Sequence, residues 1–354
     1  MSAVSVKRNS SLELLRIIAI LFIIISHYSA HGAASVVGVE FSLNRFITSI
    51  TNVGNLGAVI FVIISGYFLI NSTFKVKKAV QLITQVLFYS IVLFILSVVF
   101  GARELSISNI ITALFPATMS LYWFFTAYIL LYIFSPFINK MLNSISRSSH
   151  FKMNIIMLIC WSVIPTVTNI NLMSNELTQF FMFYSIGAYL RKYPDNVVNK
   201  NKNRFIILTA CALTLVLSSV VLIKISEYMG ADKDYSTYFY YRHSIFVIGI
   251  AVSLVASFAK IKPFSSKVIN TISSCVFGIY LIHDNRFFRY FMWLEIFDTD
   301  KYAATNYMLL HIIACAVIIF AVGCVIELTR KNLIEKPAMK LYDKIAEKTK
   351  TRCS

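Results

Sequence analysis

Charge is scarce in this sequence. Only 14% of the 354 residues are Asp, Glu, Lys or Arg, while 58% are hydrophobic and the mean hydropathy is +0.72, a balance that excludes an ordinary soluble domain. Long polar loops are missing too: no stretch between apolar runs exceeds about 21 residues, which leaves no room for an appended soluble module. Any chemistry must therefore be done by the apolar runs themselves. The six cysteines (Cys160, Cys211, Cys275, Cys315, Cys324, Cys353) lack metal-ligand spacing and place no pair in an outer loop, so they read as packing residues. No small-residue cleavage site follows the first apolar run, which ends instead in polar His27 and His31; it reads as a retained helix, not a signal peptide. Internal repeats, and the inverted halves with Gly/Pro-broken helices that mark many secondary transporters, are not evident.

What is present is a succession of runs long enough to cross a hydrocarbon core about 30 Å thick, which takes roughly 20 apolar residues as helix. They fall at about 12–31, 53–71, 79–100, 119–138, 153–170, 176–190, 205–226, 240–259, 268–284 and 305–328, the sixth and ninth being short. The expected fold is all-α: a polytopic integral membrane bundle of about ten transmembrane helices, one domain over 1–354 with a short basic tail from about 330.

The net charge of +17 is spread by side of the membrane, not gathered into a nucleic-acid groove, so no nucleic-acid partner is expected. With the N-terminus inside, 24 of the 33 Lys and Arg, from Lys7 and Arg8 to the tail, lie on the inner side. Seven lie outside (Arg45, Arg103, Lys233, Arg242, Arg286, Arg289, Lys301), while Arg16 and Lys224 sit in or at the end of spans. That asymmetry, with an even number of spans, places both termini in the cytoplasm. The inner loop 191–204 and the tail suit segments lying near anionic headgroups, which makes membrane lipids a partner.

Ionisable residues inside spans cost roughly 2.5–3.5 kcal/mol each on insertion scales, so each asks for a reason. Arg16 and His27 are eleven residues apart, which puts them on one helix face to within about 20° and separates them by about 16 Å along the axis. His27 can serve as general base, as nucleophile or as a hydrogen-bonded structural residue; Arg16 can snorkel to the headgroups and pair with Glu13. His31 completes an H-x-x-x-H pair with no third ligand evident, so no metal is expected. Ser65-Gly66-Tyr67 in the second run suits close helix packing. Trp123 heads an aromatic cluster where an interfacial belt is expected. His283-Asp284 ends the ninth run, either an acid–base pair or a structural one.

Six segments in order resemble the membrane-bound acyltransferase family 3, which includes O-acetyltransferases of bacterial surface polysaccharides. They are Arg16-x10-His27, FVIISGYFL at 61–69, WFFTAYILLYIFSPFIN at 123–139, FMFYSIGAYL at 181–190, SSCVFGIYLIH at 273–283 and IEKP at 334–337, the last contributing Glu335. Two departures stand out. Val62 replaces a phenylalanine, and Lys75 and Lys78 stand where relatives carry an arginine pair, keeping charge but losing bidentate phosphate geometry.

The resemblance implies a membrane acyltransferase of the bacterial plasma membrane, with acyl-CoA, usually acetyl-CoA, as a co-substrate and no tightly bound cofactor. The acceptor it implies is a hydroxyl of a surface polysaccharide or of its lipid-linked precursor. His27 and Arg16 would be catalytic, and Arg16 with Lys75, Lys77 and Lys78 would hold the donor phosphates at the inner mouth; His27 would deprotonate the acceptor hydroxyl for attack on the thioester, or form a covalent acyl-histidine. Ser65 would be a packing residue, an acyl relay or an oxyanion donor; Tyr67, Trp123, His283, Asp284 and Glu335 would support the site. The outer loop 226–242 and Trp293 offer aromatic faces to a sugar. The alternative is a polysaccharide exporter or flippase of the same family.

Overall fold

The computed structural model describes residues 9–33, 37–38, 40–170, 172–230 and 234–353, with side chains described as far as 345 except at 201. Lys7, Arg8 and Lys233 of the charge count, and residues 231–233 of the outer loop, lie outside the described residues. Every regular element among the described residues is helical. In chain order these are α1 (Ser10–His31), α2 (Leu43–Ile50), α3 (Gly54–Leu69), α4 (Val76–Val99), α5 (Ile107–Leu114), α6 (Trp123–Ser144), α7 (Arg147–Leu158), α8 (Ile164–Thr168) and α9 (Glu176–Lys192). There follow α10 (Asn201–Tyr228), α11 (Ile245–Lys260), α12 (Lys267–Ser273), α13 (Val276–His283), α14 (Thr299–Ala303), α15 (Met308–Arg330) and α16 (Lys336–Cys353).

A helix lies over each of the ten expected runs, but among the described residues only seven helical stretches are long and apolar enough to cross a membrane on those grounds alone. The other three are shorter. They are α9 with 17 residues, α11 with 16, and the α12–α13 pair, which is interrupted at Ser274–Cys275. Length and apolarity thus support a multi-pass helical protein with seven candidate spans.

Proline and serine shape two of these helices. Pro136 within α6 has no N–H to give the carbonyl of Tyr132, and the Ser135 hydroxyl donates to that oxygen at 2.7 Å instead. In hydrocarbon an unmet carbonyl is costly, so the Ser-Pro pair lets the helix continue. Pro165 meets the same constraint differently: a π-turn at Ile159–Val163 joins α7 to α8 and absorbs the register it breaks.

α1 is the central element, packed by α3, α11, α12, α13 and α15. It starts at Asn9, whose side chain caps Ser11 N–H, and its first turn is tied to the start of α12 by Ser10, whose hydroxyl donates to Asn270 and accepts from Ser266 N–H. A helix buried on most sides must turn its polar residues toward a protein interior, which is why Arg16 and His27 do not face lipid. The closest crossing is α3 on α9. A Cβ on Gly66 would strike the Tyr184 carbonyl, and one on Gly187 the Ile63 carbonyl. The small-residue reading of the Ser65-Gly66 segment therefore holds for Gly66: the backbones touch there, and close approach is the main attraction between helices in lipid.

Candidate active site

α1 and α13 build the centre of the site. The spacing of Arg16 and His27 holds both side chains on one wall of a cavity of about 690 Å³, a typical size for a small-ligand site. Near its basic end the cavity is bounded by Arg16, Lys78, Gln81, Lys331, Glu335 and Lys336. Its middle passes His27, Ser65, Tyr128 and Tyr280. At the opposite end stand Asn52, Asn55, Trp123, Arg242, Asp284 and Arg289.

Asp284, the residue that caps α13, brings the reactive groups together. Its Oδ1 lies 3.9 Å from His27 Nδ1, 3.5 Å from His31 Nε2 and 3.1 Å from Arg289 Nη1. The carboxylate is almost wholly buried, at 5% side-chain exposure, so its charge needs the Arg289 guanidinium and the imidazoles beside it. The His27 ring stands 4.7 Å from that of His31 and 5.1 Å from that of His283. His283 is fixed behind it: Nδ1 lies 2.6 Å from the Ile279 carbonyl, which only accepts, so the ring proton sits on Nδ1. With Asp284 on the Nδ1 side of His27, Nε2 is the nitrogen left to take a proton from a bound hydroxyl. At 3.9 Å the Asp284–His27 pair is too long for a direct hydrogen bond, but catalytic contacts commonly tighten once substrate is bound.

The sequence offered no third ligand for a metal at His27 and His31, and the fold supplies a candidate in Asp284: donor atoms of the three lie within 4.8 Å of one another. Ligands at about 2.0–2.2 Å from a zinc ion sit roughly 3.5 Å apart, tighter than this spread. Arg289 already occupies the same carboxylate oxygen and would repel a second cation.

Arg16 pairs with Glu13 at 3.4 Å, as its i−3 spacing allows, and Glu13 also accepts from Ser273. The lysines separate. Lys78 lines the cavity, whereas Lys77 is drawn 2.6 Å from Asp343 of α16 and Lys75 precedes α4, its N–H donating to the Tyr132 hydroxyl. Ser65 donates to the Phe61 carbonyl at 2.8 Å, a packing bond, and still borders the cavity 3.4 Å from the Tyr128 hydroxyl. Tyr67 lies off the cavity, accepting from Arg191 at 3.2 Å. Trp123 is no mere belt residue, since the Arg242 guanidinium lies 4.7 Å over its ring on the cavity wall. Trp293 is fully buried beside Tyr28 and Phe297, so its ring cannot be offered to a sugar.

Sequence reasoning missed a second buried polar group. Glu327 of α15 is wholly buried and accepts from Tyr89 at 2.6 Å, from Gln85 at 3.0 Å and from Arg330 by two bonds of 2.8 Å. Arg330 also reaches Glu335, which accepts in turn from Gln81 at the basic end of the cavity. Arg330 was expected in a tail near headgroups; it is instead a buried partner of α15, because an unpaired Glu327 in that position would be prohibitively costly. The signal was present: a carboxylate near the end of an apolar run, followed three residues later by arginine.

A multi-pass helical membrane protein with a histidine–carboxylate cluster on a cavity that begins at a cationic mouth is the class defined so far. The family model of an acyltransferase domain, acyltransferase 3, matches residues 9–328, and the chain belongs to that family. No curated protein and no solved structure matches it.

Proposed function

We propose that the protein is a membrane O-acyltransferase that moves an acyl group, acetyl in the first instance, from acyl-CoA to a hydroxyl of a cell-surface polysaccharide or its lipid-linked precursor. The observation that carries this reading is the single cavity joining Lys78 and Arg16 to the His27–Asp284 cluster and on to Trp123 and Arg242. The phosphates of coenzyme A cannot enter hydrocarbon, but they match a cationic mouth, from which only the slender pantetheine arm need advance. The distance it must cover is the ~16 Å rise between Arg16 and His27. His27 Nε2 then removes the proton of the acceptor hydroxyl as its oxygen attacks the thioester carbonyl. The C–S bond breaks, and the proton passes from His27 to the leaving thiolate. Asp284 steadies the transient imidazolium. An exporter has no reason to touch a thioester, so reaction with acyl-CoA separates the two readings.

In this proposal ten helices cross the bacterial plasma membrane, with both ends and the Lys78 mouth cytoplasmic. Reporters fused after Lys78, Lys152, Lys202 and Lys267 should then report cytoplasm, and those in loops 103–117 and 230–237 the outside, as the charge asymmetry requires. A Lys202 fusion reporting the outside would sink this topology.

The reaction itself is tested by incubating purified protein in detergent with acetyl-CoA and measuring free thiol. Thiol release is expected, and Lys78→Ala should mainly raise KM for acetyl-CoA, whereas Lys77→Ala, already neutralised by Asp343, should change it little. Acetyl-CoA left intact by folded protein, with or without glycan acceptors, would refute the acyltransferase reading.

A further inference from the structure

A second cavity, of about 330 Å³, opens at the end of the bundle opposite Lys78. We propose that it is an acceptor subsite, which holds one neutral sugar ring while the next unit of the acceptor reaches His27; the inference rests on the acyl-transfer reading above.

The walls have the chemistry of saccharide recognition. Tyr235, Tyr238, Tyr241 and His243, from the segment between α10 and α11, supply rings, and Tyr241 and His243 stack nearly parallel at 5.7 Å with 4° between their planes. A sugar ring presents a face of C–H groups that packs on such a flat surface, leaving its hydroxyls at the edge. Planar polar groups wait at that edge. Asn169 ends α8, and Asp234 also lines the cavity, its carboxylate held by the buried Arg45 and by Ser236 N–H at 2.8 Å. Because Arg45 already balances Asp234, the cavity favours a neutral ring over a charged one. Its volume lies at the small end of ligand sites, which suits one ring better than a chain.

An interfacial aromatic belt is the ordinary explanation for tyrosines at this depth, but belt rings face lipid. Here the rings converge with an amide and a carboxylate on a concavity.

The position relative to the catalytic cavity gives the subsite its purpose. Gln179 lines the small cavity, its amide nitrogen donating to Ser174 at 2.9 Å and its oxygen accepting from Arg242 Nε at 2.7 Å. Arg242 lines the large cavity, stacked over Trp123 and bonded to Glu176 at 2.6 Å. One hydrogen-bonded pair of side chains therefore borders both spaces. A ring seated against Gln179 sends its neighbour across Arg242 and Trp123 toward His27, which would set which hydroxyl is acylated.

Saturation-transfer NMR on purified protein tests this with glucose, galactose, rhamnose, N-acetylglucosamine and the disaccharides maltose and chitobiose. At least one should bind the parent, and a monosaccharide that does so should bind His27→Gln protein equally, because the single ring sits in the other cavity. Tyr241→Ala, at a position 54% exposed where folding should not suffer, should weaken that binding roughly three- to tenfold, and Tyr241→Trp should restore it. No binding by any of the six sugars, or equal binding by parent and Tyr241→Ala, would overturn the subsite. Tyr241-dependent sugar binding by protein that leaves acetyl-CoA intact would support the subsite while removing the acyl-transfer reading.

Discussion

His27→Gln protein, extracted as a monodisperse species, will turn over acetyl-CoA about 10²–10⁴-fold more slowly than the parent, the usual contribution of a general base. Glutamine keeps a polar, hydrogen-bonding end in a space lined by His31 and His283, so a residue retained for packing alone would be replaced with a loss of stability and little loss of rate. The catalytic role predicts the reverse: donor binding held at the Lys78 end, and turnover lost. Rates of folded His27→Gln protein within about threefold of the parent would remove His27 from the mechanism.

The change Asp284→Asn should come next in size. It is nearly isosteric, but it takes the negative charge away from the Arg289 guanidinium and from the imidazoles of His27 and His31. Without it the imidazolium formed during transfer loses its counter-charge on the Nδ1 side of His27. Asp284 acts through His27, so it is a positioning residue, and its loss should lower kcat by roughly 10²-fold or more with little change in KM for acetyl-CoA. Breaking a buried ionic cluster also costs about 3–5 kcal/mol, so a melting curve must accompany the kinetics. A KM that rises while kcat holds would mean that Asp284 shapes the donor path instead.

The local part of this site was legible because helical period alone fixes which residues share a face. Arg16 and His27 needed no more than their spacing, and Glu13 pairs with Arg16 for the same reason. Contacts across the chain were not legible. Asp284 could be named from the end of an apolar run, but not that it would meet His27 across 257 positions of sequence. Lys77 was visible as a cation, yet its neutralisation depends on α16 bringing Asp343 to the start of α4. Trp293 had the right chemistry for a sugar platform and the wrong depth, which only packing decides. The boundaries of the apolar runs were set by where polar residues begin, and that rule misled at Arg330, a polar residue that belongs inside.

Glu327 has a consequence for how the protein is made. α15 is the last of the candidate spans to leave the ribosome, and it carries a carboxylate that an isolated helix would place in lipid at a cost of about 2.5–3.5 kcal/mol. Arg330 travels with it, but Gln85 and Tyr89 lie on α4, which is already in the bilayer. Gly278 of α13 leaves the space that the carboxylate fills. Docking of α15 against α4 and α13 thus supplies the partners that make its carboxylate tolerable within the bundle.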